Sequence, residues 1–230
     1  QGRPQDDARA LARASGALPH GVIADLLLDQ AATRVDAFRA GLGDYAADPR
    51  LPLEVNLAIS GLRLTGWIEG VTAEGLVAWR LGRRRAQDLL ALWVRHLVLN
   101  YLAPDGVAPR SRLVTEQPGK GTGTCEIAVL ELSPVPNAAA LLDDLIDLFR
   151  QGGLVPLPLY PETSLAYAEV GWAAKTWNSW EGGFTGPPGE STHWAIRTAW
   201  RGRDPVDAAF ESLAQRVFGP VLAAIAQDPN

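Results

Sequence analysis

Methionine is absent from the 230 residues, and cysteine occurs once, at Cys125. A lone cysteine excludes a disulfide within the chain and is typical of a reducing compartment, so we expect a cytoplasmic location. The lack of an initiator methionine suggests a segment of a longer chain. No apolar run approaches the roughly 20 residues of a membrane span. The start QGRPQDDARA is also unlike a signal peptide, so we expect no membrane partner.

An excess of positive charge is also lacking. The formal net charge is −5, so any contact with DNA must come from a local basic patch. The three histidines, His20, His96 and His193, lie in separate predicted elements without the spacing of metal ligands. The glycine-rich residues 119–123 lack the spacing of a phosphate-binding loop and precede a strand. We therefore expect no ATP and no other cofactor.

Tryptophan is abundant: the chain has eight, with 47% apolar and 20% charged residues overall. The charged and apolar fractions are those of a globular protein. Eight indoles are too many for a core of this size, and such rings are favoured at protein interfaces. One interpretation is that the later aromatic residues pack the last helices onto a sheet. The other is that a subunit binds them, and the residues predicted to bind it are Trp172, Trp177, Trp180 and Trp194.

The strongest local pattern covers residues 62–103. Leu62, Leu64 and Ile68 alternate with polar residues, as in a half-buried strand. Residues 72–75 form a turn, and residues 76–81 are predicted to pair with the first strand as a hairpin. From residue 84 the period changes to that of a long helix. His96 falls on the apolar face of this helix and is predicted to be a core histidine with satisfied hydrogen bonds.

The rest of the chain continues this alternation. Upstream, we expect a short N-terminal helix, a helix from Val22 that Gly41 and Gly43 end, and a strand over Leu53–Ile59. Downstream, we expect strands over 111–115 and 124–132, a helix capped by Asn137, and helices over about 163–172, 172–180, 193–200 and 205–226.

The segments TGWIEGV, GLVAWR and LLALWVRHLV resemble the C-terminal region of the gamma subunit of exodeoxyribonuclease V, the RecC subunit of the RecBCD helicase–nuclease. The resemblance continues through ALPHGVIADLLL at residues 17–28 and PLPLYPETSLAYA at residues 156–168. It covers most of the chain and is weakest over residues 106–124.

The resemblance implies an α/β (α+β) fold of the PD-(D/E)XK, restriction-endonuclease-like type, in which helices flank a mixed sheet. The predicted order of helix, three strands, helix and strand agrees with the core of that fold. The order alone would leave ferredoxin-like and Rossmann-like sheets open. We expect one nuclease-like domain over residues 1–230, with the core at about 17–132 and a helical C-terminal part at about 135–230.

Active members of that fold hold Mg²⁺ with one acid near the end of the second strand and an acid-x-Lys on the third. The first position matches Glu69, and the second falls on Ala78 and Arg80. Alanine cannot bind a metal, and arginine stays protonated, so it cannot act as a base. We expect the metal site to be lost and the chain to have no catalytic residue. With the site lost, Glu69 is more simply a solvated residue of the hairpin. The alternative is an active nuclease of the same fold, which would need the acid-x-Lys that the sequence lacks.

A basic cluster follows at Arg80, Arg83, Arg84 and Arg85. One interpretation is a patch that contacts DNA phosphates. The other is a solvated helix start with salt bridges to Glu74 and Asp88. The helix macrodipole disfavours cations at a helix N-terminus, which favours a bound anion there.

The resemblance also implies a role. The domain would be a non-catalytic scaffold that contacts the RecB and RecD subunits of a heterotrimer and guides DNA strands during double-strand-break repair and recombination. The alternative is a stand-alone protein-binding module without DNA contact.

Overall fold

The computed structural model of the protein describes residues 5–43, 45–119, 125–184 and 186–226. The chain divides into two compact units, Gln1–Tyr45 and Ala46–Asn230. The single nuclease-like domain over residues 1–230 stays a prediction, because a division into compact units does not test it. None of the helices in the described ranges is both long and apolar enough to cross a membrane.

The first unit contains two helices, α1 (Gln5–Ala14) and α2 (Val22–Leu42), as the sequence predicts. Arg9 bridges to Asp29 at 2.6 Å, which joins the two helices by an ion pair. The start of α2 is apolar but exposed, and Val22 and Ile23 are among its most exposed side chains.

The second unit begins with an antiparallel hairpin of β1 (Leu53–Ile59) and β2 (Leu62–Ile68). Ser60 and Gly61 form its tight turn. Alternate residues of β1 are buried. The half-buried face predicted for β2 is seen only in part, since Ile68 is buried, Leu64 is half-buried and Leu62 is exposed.

A separate four-stranded sheet has the order β3 (Val71–Thr72), β4 (Gly75–Trp79), β5 (Ser111–Pro118) and β6 (Cys125–Leu132). Strands β4 and β5 are parallel, and the other two pairs are antiparallel. The helix α3 (Ala86–Leu102) makes the crossover that a parallel pair requires. The sheet is therefore mixed, in agreement with the sequence-based expectation. The glycine-rich residues 120–124 lie outside the described part of the chain.

The hairpin predicted between residues 62–69 and 76–81 is wrong over most of its length. Strand β2 pairs with β1, and only the turn end of the predicted hairpin forms, as β3 against β4. The backbone departs at Gly70, where φ is 77°. A residue that bends the strand there allows its two halves to have different partners.

Helix α3 lies at the centre of the core of this unit. Its buried apolar residues include Leu89, Leu92, Trp93, Leu97 and Leu99, each at most 1% exposed. They pack with residues of β1, β4, β5 and the C-terminal helices in one cluster. The predicted apolar face is confirmed, except that Val94 is exposed.

His96 is completely buried in this core, as predicted. Its Nδ1 lies 2.8 Å from the Ser111 hydroxyl, and its Nε2 lies 3.1 Å from the Ser133 carbonyl. Because a carbonyl can only accept, Nε2 carries the proton and Nδ1 accepts from Ser111. Burial lowers the pKa of His96 from 6.5 to about 4, although the Ser133 carbonyl acts in the opposite direction.

The remaining helices are α4 (Ala138–Gly152), α5 (Pro161–Val170), α6 (Ala174–Glu181), α7 (Trp194–Trp200) and α8 (Ala208–Ala224), with a short 3₁₀ turn at Glu190–Thr192. Asn137 precedes α4 as expected, but its side chain makes no capping hydrogen bond. Asp207 does cap α8, since its carboxylate accepts from the backbone N–H of Ala209 and Phe210. Phe149 of α4 is exposed, although it is a large apolar residue.

Candidate functional site

The backbone brings the two predicted metal-ligand positions near each other. The Val77 N–H donates to the Gly70 carbonyl at 2.8 Å. Glu69 directly precedes Gly70 and Ala78 directly follows Val77, so the two positions lie on adjacent chain segments beside this hydrogen bond. A Cβ on Gly70 would lie 2.3 Å from the Val77 carbonyl oxygen, so this approach requires glycine. Glu69 is exposed and Ala78 is half-buried. Among the residues that the structure describes, no group of three or more His, Cys, Asp or Glu side chains could hold a metal ion.

Arg80 directly follows β4 and is half-buried. Its backbone N–H donates to the Val114 carbonyl at 2.9 Å, and its Nη1 donates to Asp88 at 3.3 Å. The second oxygen of Asp88 accepts the Arg85 N–H at 3.2 Å. Asp88 thus lies in the first turn of α3, where the macrodipole favours an acid. Within the described ranges the buried Nε of Arg80 has no hydrogen-bond partner.

The other members of the basic cluster differ in their partners. Arg84 lies 3.7 Å from Glu169, a carboxylate that Lys175 also contacts. Arg83 and Arg85 are exposed, and neither side chain forms an ion pair with a described residue. The predicted salt bridge to Asp88 is therefore confirmed for Arg80, while two arginines present their charge to solvent.

Three buried or half-buried carboxylates near the basic cluster are absent from the sequence-based predictions. Glu162 accepts the Ala86 N–H at 2.9 Å, at the first residue of α3. Glu190 accepts the N–H and hydroxyl of Thr163, at 2.8 and 2.7 Å, near the start of α5. Burial raises the pKa of Glu190 above its ordinary value, against these hydrogen bonds, which lower it. Glu116 on β5 is also buried, and its N–H donates to the Gly82 carbonyl at 2.9 Å.

These helix starts border one open groove of about 1470 Å³ in the second unit, here called the α3–α5 groove. Its lining includes Arg84, Arg85, Glu162, Lys175, Phe184 and Glu190. Glu162 and Glu190 already accept backbone hydrogen bonds. Arg84 and Lys175 both contact Glu169, whereas the exposed Arg85 remains available to a partner of negative charge.

The predicted partner-binding tryptophans occupy different environments. Trp180 is 8% exposed, and its ring centroid lies 4.8 Å from that of Tyr160 in a small aromatic core. Trp172 is half-buried, and its Nε1 donates to Glu211 at 2.7 Å. Trp177 stacks on Trp172 at 4.7 Å and is 45% exposed. The structure thus brings Trp172 and Trp177 together, with Trp177 facing solvent.

Trp194 is 74% exposed at the start of α7 and stacks on His193. The nearby Phe184 is fully exposed in the loop between α6 and the 3₁₀ turn. Gly182 and Pro188 form a bridge at the base of this loop. A Cβ on Gly189 would lie 2.3 Å from the Gly182 nitrogen, so the closed base requires glycine. The sequence pattern does not indicate Phe184, because a single phenylalanine among glycines has no periodic partner.

The fold and the site define a mixed α/β domain with a basic helix start beside an open groove. The family model of the RecC C-terminal domain matches residues 1–172. The chain therefore belongs to the RecC C-terminal domain family, which confirms the resemblance found in the sequence.

Two relatives show where this domain occurs. The chain is 31% identical over 178 residues to the RecBCD enzyme subunit RecC of Escherichia coli (strain K12), a match that covers 72% of this chain and 14% of that protein. It is 24% identical over 92 residues to the RecBCD enzyme subunit RecC of Buchnera aphidicola subsp. Schizaphis graminum (strain Sg), covering 40% of this chain and 9% of that protein. The chain thus spans only about one seventh of the length of the first relative and less of the second.

Proposed function

We propose that this chain is a non-catalytic, nuclease-like domain of a RecC subunit, which contacts the RecB and RecD subunits and guides DNA strands in an exodeoxyribonuclease V complex. The observation that carries the proposal is the family match over residues 1–172, together with Ala78 and Arg80 at the acid-x-Lys position. The whole complex would act in recombinational repair of double-strand breaks.

The strand order supports a restriction-endonuclease-like fold. Before α3 the chain has three strand segments, if β2 and β3 are counted as one strand bent at Gly70. Strand β1 pairs with β2 in a two-stranded sheet, and β3 pairs with β4 in the separate four-stranded sheet; both pairs are antiparallel. Helix α3 then leads to β5, which is parallel to β4, and β6 closes the sheet edge. This is the predicted order of three strands, helix and strand with a mixed sheet.

The chemistry of the Glu69 region supports a non-catalytic role. One carboxylate cannot offset the dehydration of Mg²⁺, which gives up its water reluctantly. Ala78 supplies no second ligand, and a guanidinium about 4 Å from a cation would repel it by roughly 1–4 kcal/mol per unit charge, for effective dielectrics of ~80 to ~20.

The test is cleavage of single- and double-stranded DNA by the purified chain over a range of Mg²⁺ and Mn²⁺ concentrations. We expect no hydrolysis, and Glu69→Ala should change nothing. Cleavage that Glu69→Ala abolishes would instead indicate an active nuclease of the same fold.

The exposed arginines of the basic cluster support a DNA contact. Because the net charge is −5, we expect weak binding of forked DNA with a steep dependence on salt. Arg83→Glu with Arg85→Glu should weaken binding and reduce the salt slope. The matched control is Arg39→Glu with Arg63→Glu, two exposed arginines elsewhere. If the two double variants gave equal DNA-binding isotherms, the basic cluster would be an ordinary solvated helix start that does not contact DNA.

The exposed rings support a subunit contact through Trp177 and Trp194. The half-buried Trp172 stacks on Trp177, whereas Trp180 is buried. We expect the chain to capture co-expressed RecB or RecD, and Trp177→Ala with Trp194→Ala to weaken capture while leaving the fold intact. Trp180→Ala is the structural control, because its ring is buried. Capture of neither subunit, without DNA binding, would favour a stand-alone protein-binding module.

A further inference from the structure

A second basic site lies at the end of α7, outside the residues matched by the family model. It is a concavity of about 450 Å³, which we call the arginine pocket. Its lining includes Trp180, Ile196, Arg197, Trp200, Arg201 and Arg203. The volume is within the ~300–1,000 Å³ typical of sites for small organic groups.

The backbone explains why three arginines reach one pocket. Arg197 lies in the last turn of α7, and Arg201 directly follows the helix. Arg201 ends α7 in the left-handed conformation, with φ 47°, and its N–H donates to the Arg197 carbonyl at 3.0 Å. The Arg203 N–H then donates to the Trp200 carbonyl at 2.9 Å, so the chain reverses and returns Arg203 to the same concavity.

The positive charge of the arginine pocket is not neutralised by ion pairs with the described residues around it. All three arginines are exposed, and none forms an ion pair or side-chain hydrogen bond with a described residue. The one acid of the lining, Asp204, accepts the N–H of Val206 at 3.0 Å in a local turn. By contrast, Arg80 and Arg84 of the basic cluster both have acidic partners.

The remaining walls are apolar and aromatic. Trp200 is half-buried and Trp180 is almost fully buried, so packing against the protein fixes the position of both rings. Trp180 in turn packs on Tyr160, whose buried hydroxyl has no partner in the described part of the chain. Burial first, and then the charge of Asp204, raises the pKa of that hydroxyl.

We propose that the arginine pocket binds one nucleotide unit of a single DNA strand, with the phosphate on the arginines and the base against Trp200. Guanidinium groups match phosphate oxygens in a bidentate geometry. A base stacks on an aromatic ring regardless of sequence, typically for ~1–3 kcal/mol. An acidic peptide would use the arginines but would gain little from a flat indole wall, so the aromatic wall favours the nucleotide.

The test measures binding of a fluorescent oligothymidylate dodecamer and a fluorescent oligoglutamate dodecamer to the full chain by anisotropy. Arg201→Gln with Arg203→Gln should weaken oligothymidylate binding about tenfold and reduce its salt slope by about 0.7, since one phosphate contact is lost. Trp200→Leu should weaken oligothymidylate binding and leave oligoglutamate binding unchanged. Arg39→Gln with Arg63→Gln, which removes equal charge elsewhere, should change neither.

Two outcomes would overturn this proposal. Unchanged oligothymidylate binding in Arg201→Gln with Arg203→Gln would show that the arginine pocket contacts no phosphate. Equal affinity of the wild-type chain for both dodecamers would assign the pocket to acidic peptides instead. The Arg83→Glu with Arg85→Glu variant tests the basic cluster separately, so failure of one site is distinguishable from failure of the other. Near-ultraviolet circular dichroism of each variant establishes that its fold is retained.

Discussion

Acidification should destabilise the second unit through one buried side chain, His96. In the fold the neutral ring accepts from Ser111 at Nδ1 and donates to Ser133 at Nε2, and its pKa is lowered from 6.5 to about 4. A base with a lowered pKa in the folded state binds its proton more readily when the chain unfolds. Its contribution to stability is therefore present above pH 6.5 and is lost as the pH falls through about 4.

The magnitude follows from the size of the shift. Each pKa unit corresponds to about 1.4 kcal/mol, so a shift from 6.5 to about 4 gives a full loss of roughly 3.4 kcal/mol well below pH 4. At pH 4.5 the unfolded histidine is almost fully protonated and the folded one only partly. We therefore expect about 2.5 kcal/mol to be lost between pH 7.5 and pH 4.5.

The assay is urea unfolding followed by tryptophan fluorescence at both pH values, for the wild type and His96→Gln. Carboxylates contribute equally to both proteins, so the variant should lose about 2.5 kcal/mol less than the wild type. His193→Gln is the matched control, since that ring is exposed, and it should behave as the wild type does. A direct proton NMR titration of wild-type His96 needs no variant. A measured pKa near 6.5, or equal losses for the wild type and His96→Gln, would refute the reasoning.

Two further stability predictions use matched pairs, both followed by urea unfolding. Trp93→Ala should cost about 3–5 kcal/mol because the ring is 1% exposed, whereas Trp194→Ala, at 74% exposed, should stay within about 0.5 kcal/mol; equal costs would contradict the burial. Gly70→Ala should cost at least about 2 kcal/mol more than Gly171→Ala. Both glycines have positive φ, but only at Gly70 would the new Cβ meet a backbone atom, 2.3 Å away on Val77; equal losses would show that the close approach relaxes.

Most local elements could be predicted from the sequence because their signals are local. The alternation of β1 fixes the range Leu53–Ile59, and the change of period after residue 84 predicts α3. Glycines at 41 and 43 predict the end of α2, since helices commonly end near glycine. The apolar face of α3 likewise predicts that His96 is buried, and a buried ring must find hydrogen bonds.

Strand pairing could not be predicted in the same way. The alternating pattern of β2 indicates a strand but does not say which neighbour it joins, because pairing depends on contacts between distant residues. The choice is decided at Gly70, whose positive φ lets β2 and β3 take different partners. A glycine in a strand pattern indicates a bend, but it does not indicate the direction.

The candidate sites show the same division. The basic cluster lies within six residues of the sequence and can therefore be predicted. Glu162 and Glu190 accept hydrogen bonds from the starts of helices that are far from them in the chain, which a single sequence does not indicate. The arginine pocket could not be predicted, because Arg197 and Arg203 come together only through the turn that ends α7. A single sequence contains no signal for a turn that depends on a non-glycine residue with positive φ.

On the proposed nuclease-like fold, the residue at the lysine position has a structural role that a catalytic lysine would not have. Arg80 reaches Asp88, which also accepts the Arg85 N–H at the start of α3. The guanidinium therefore neutralises an acid that fixes the first turn of the central helix. A lysine retained for catalysis must instead face a metal-bound water, and one side chain cannot serve both purposes. On the proposed fold, an arginine at the lysine position would thus help to place α3, a structural role in place of a catalytic one.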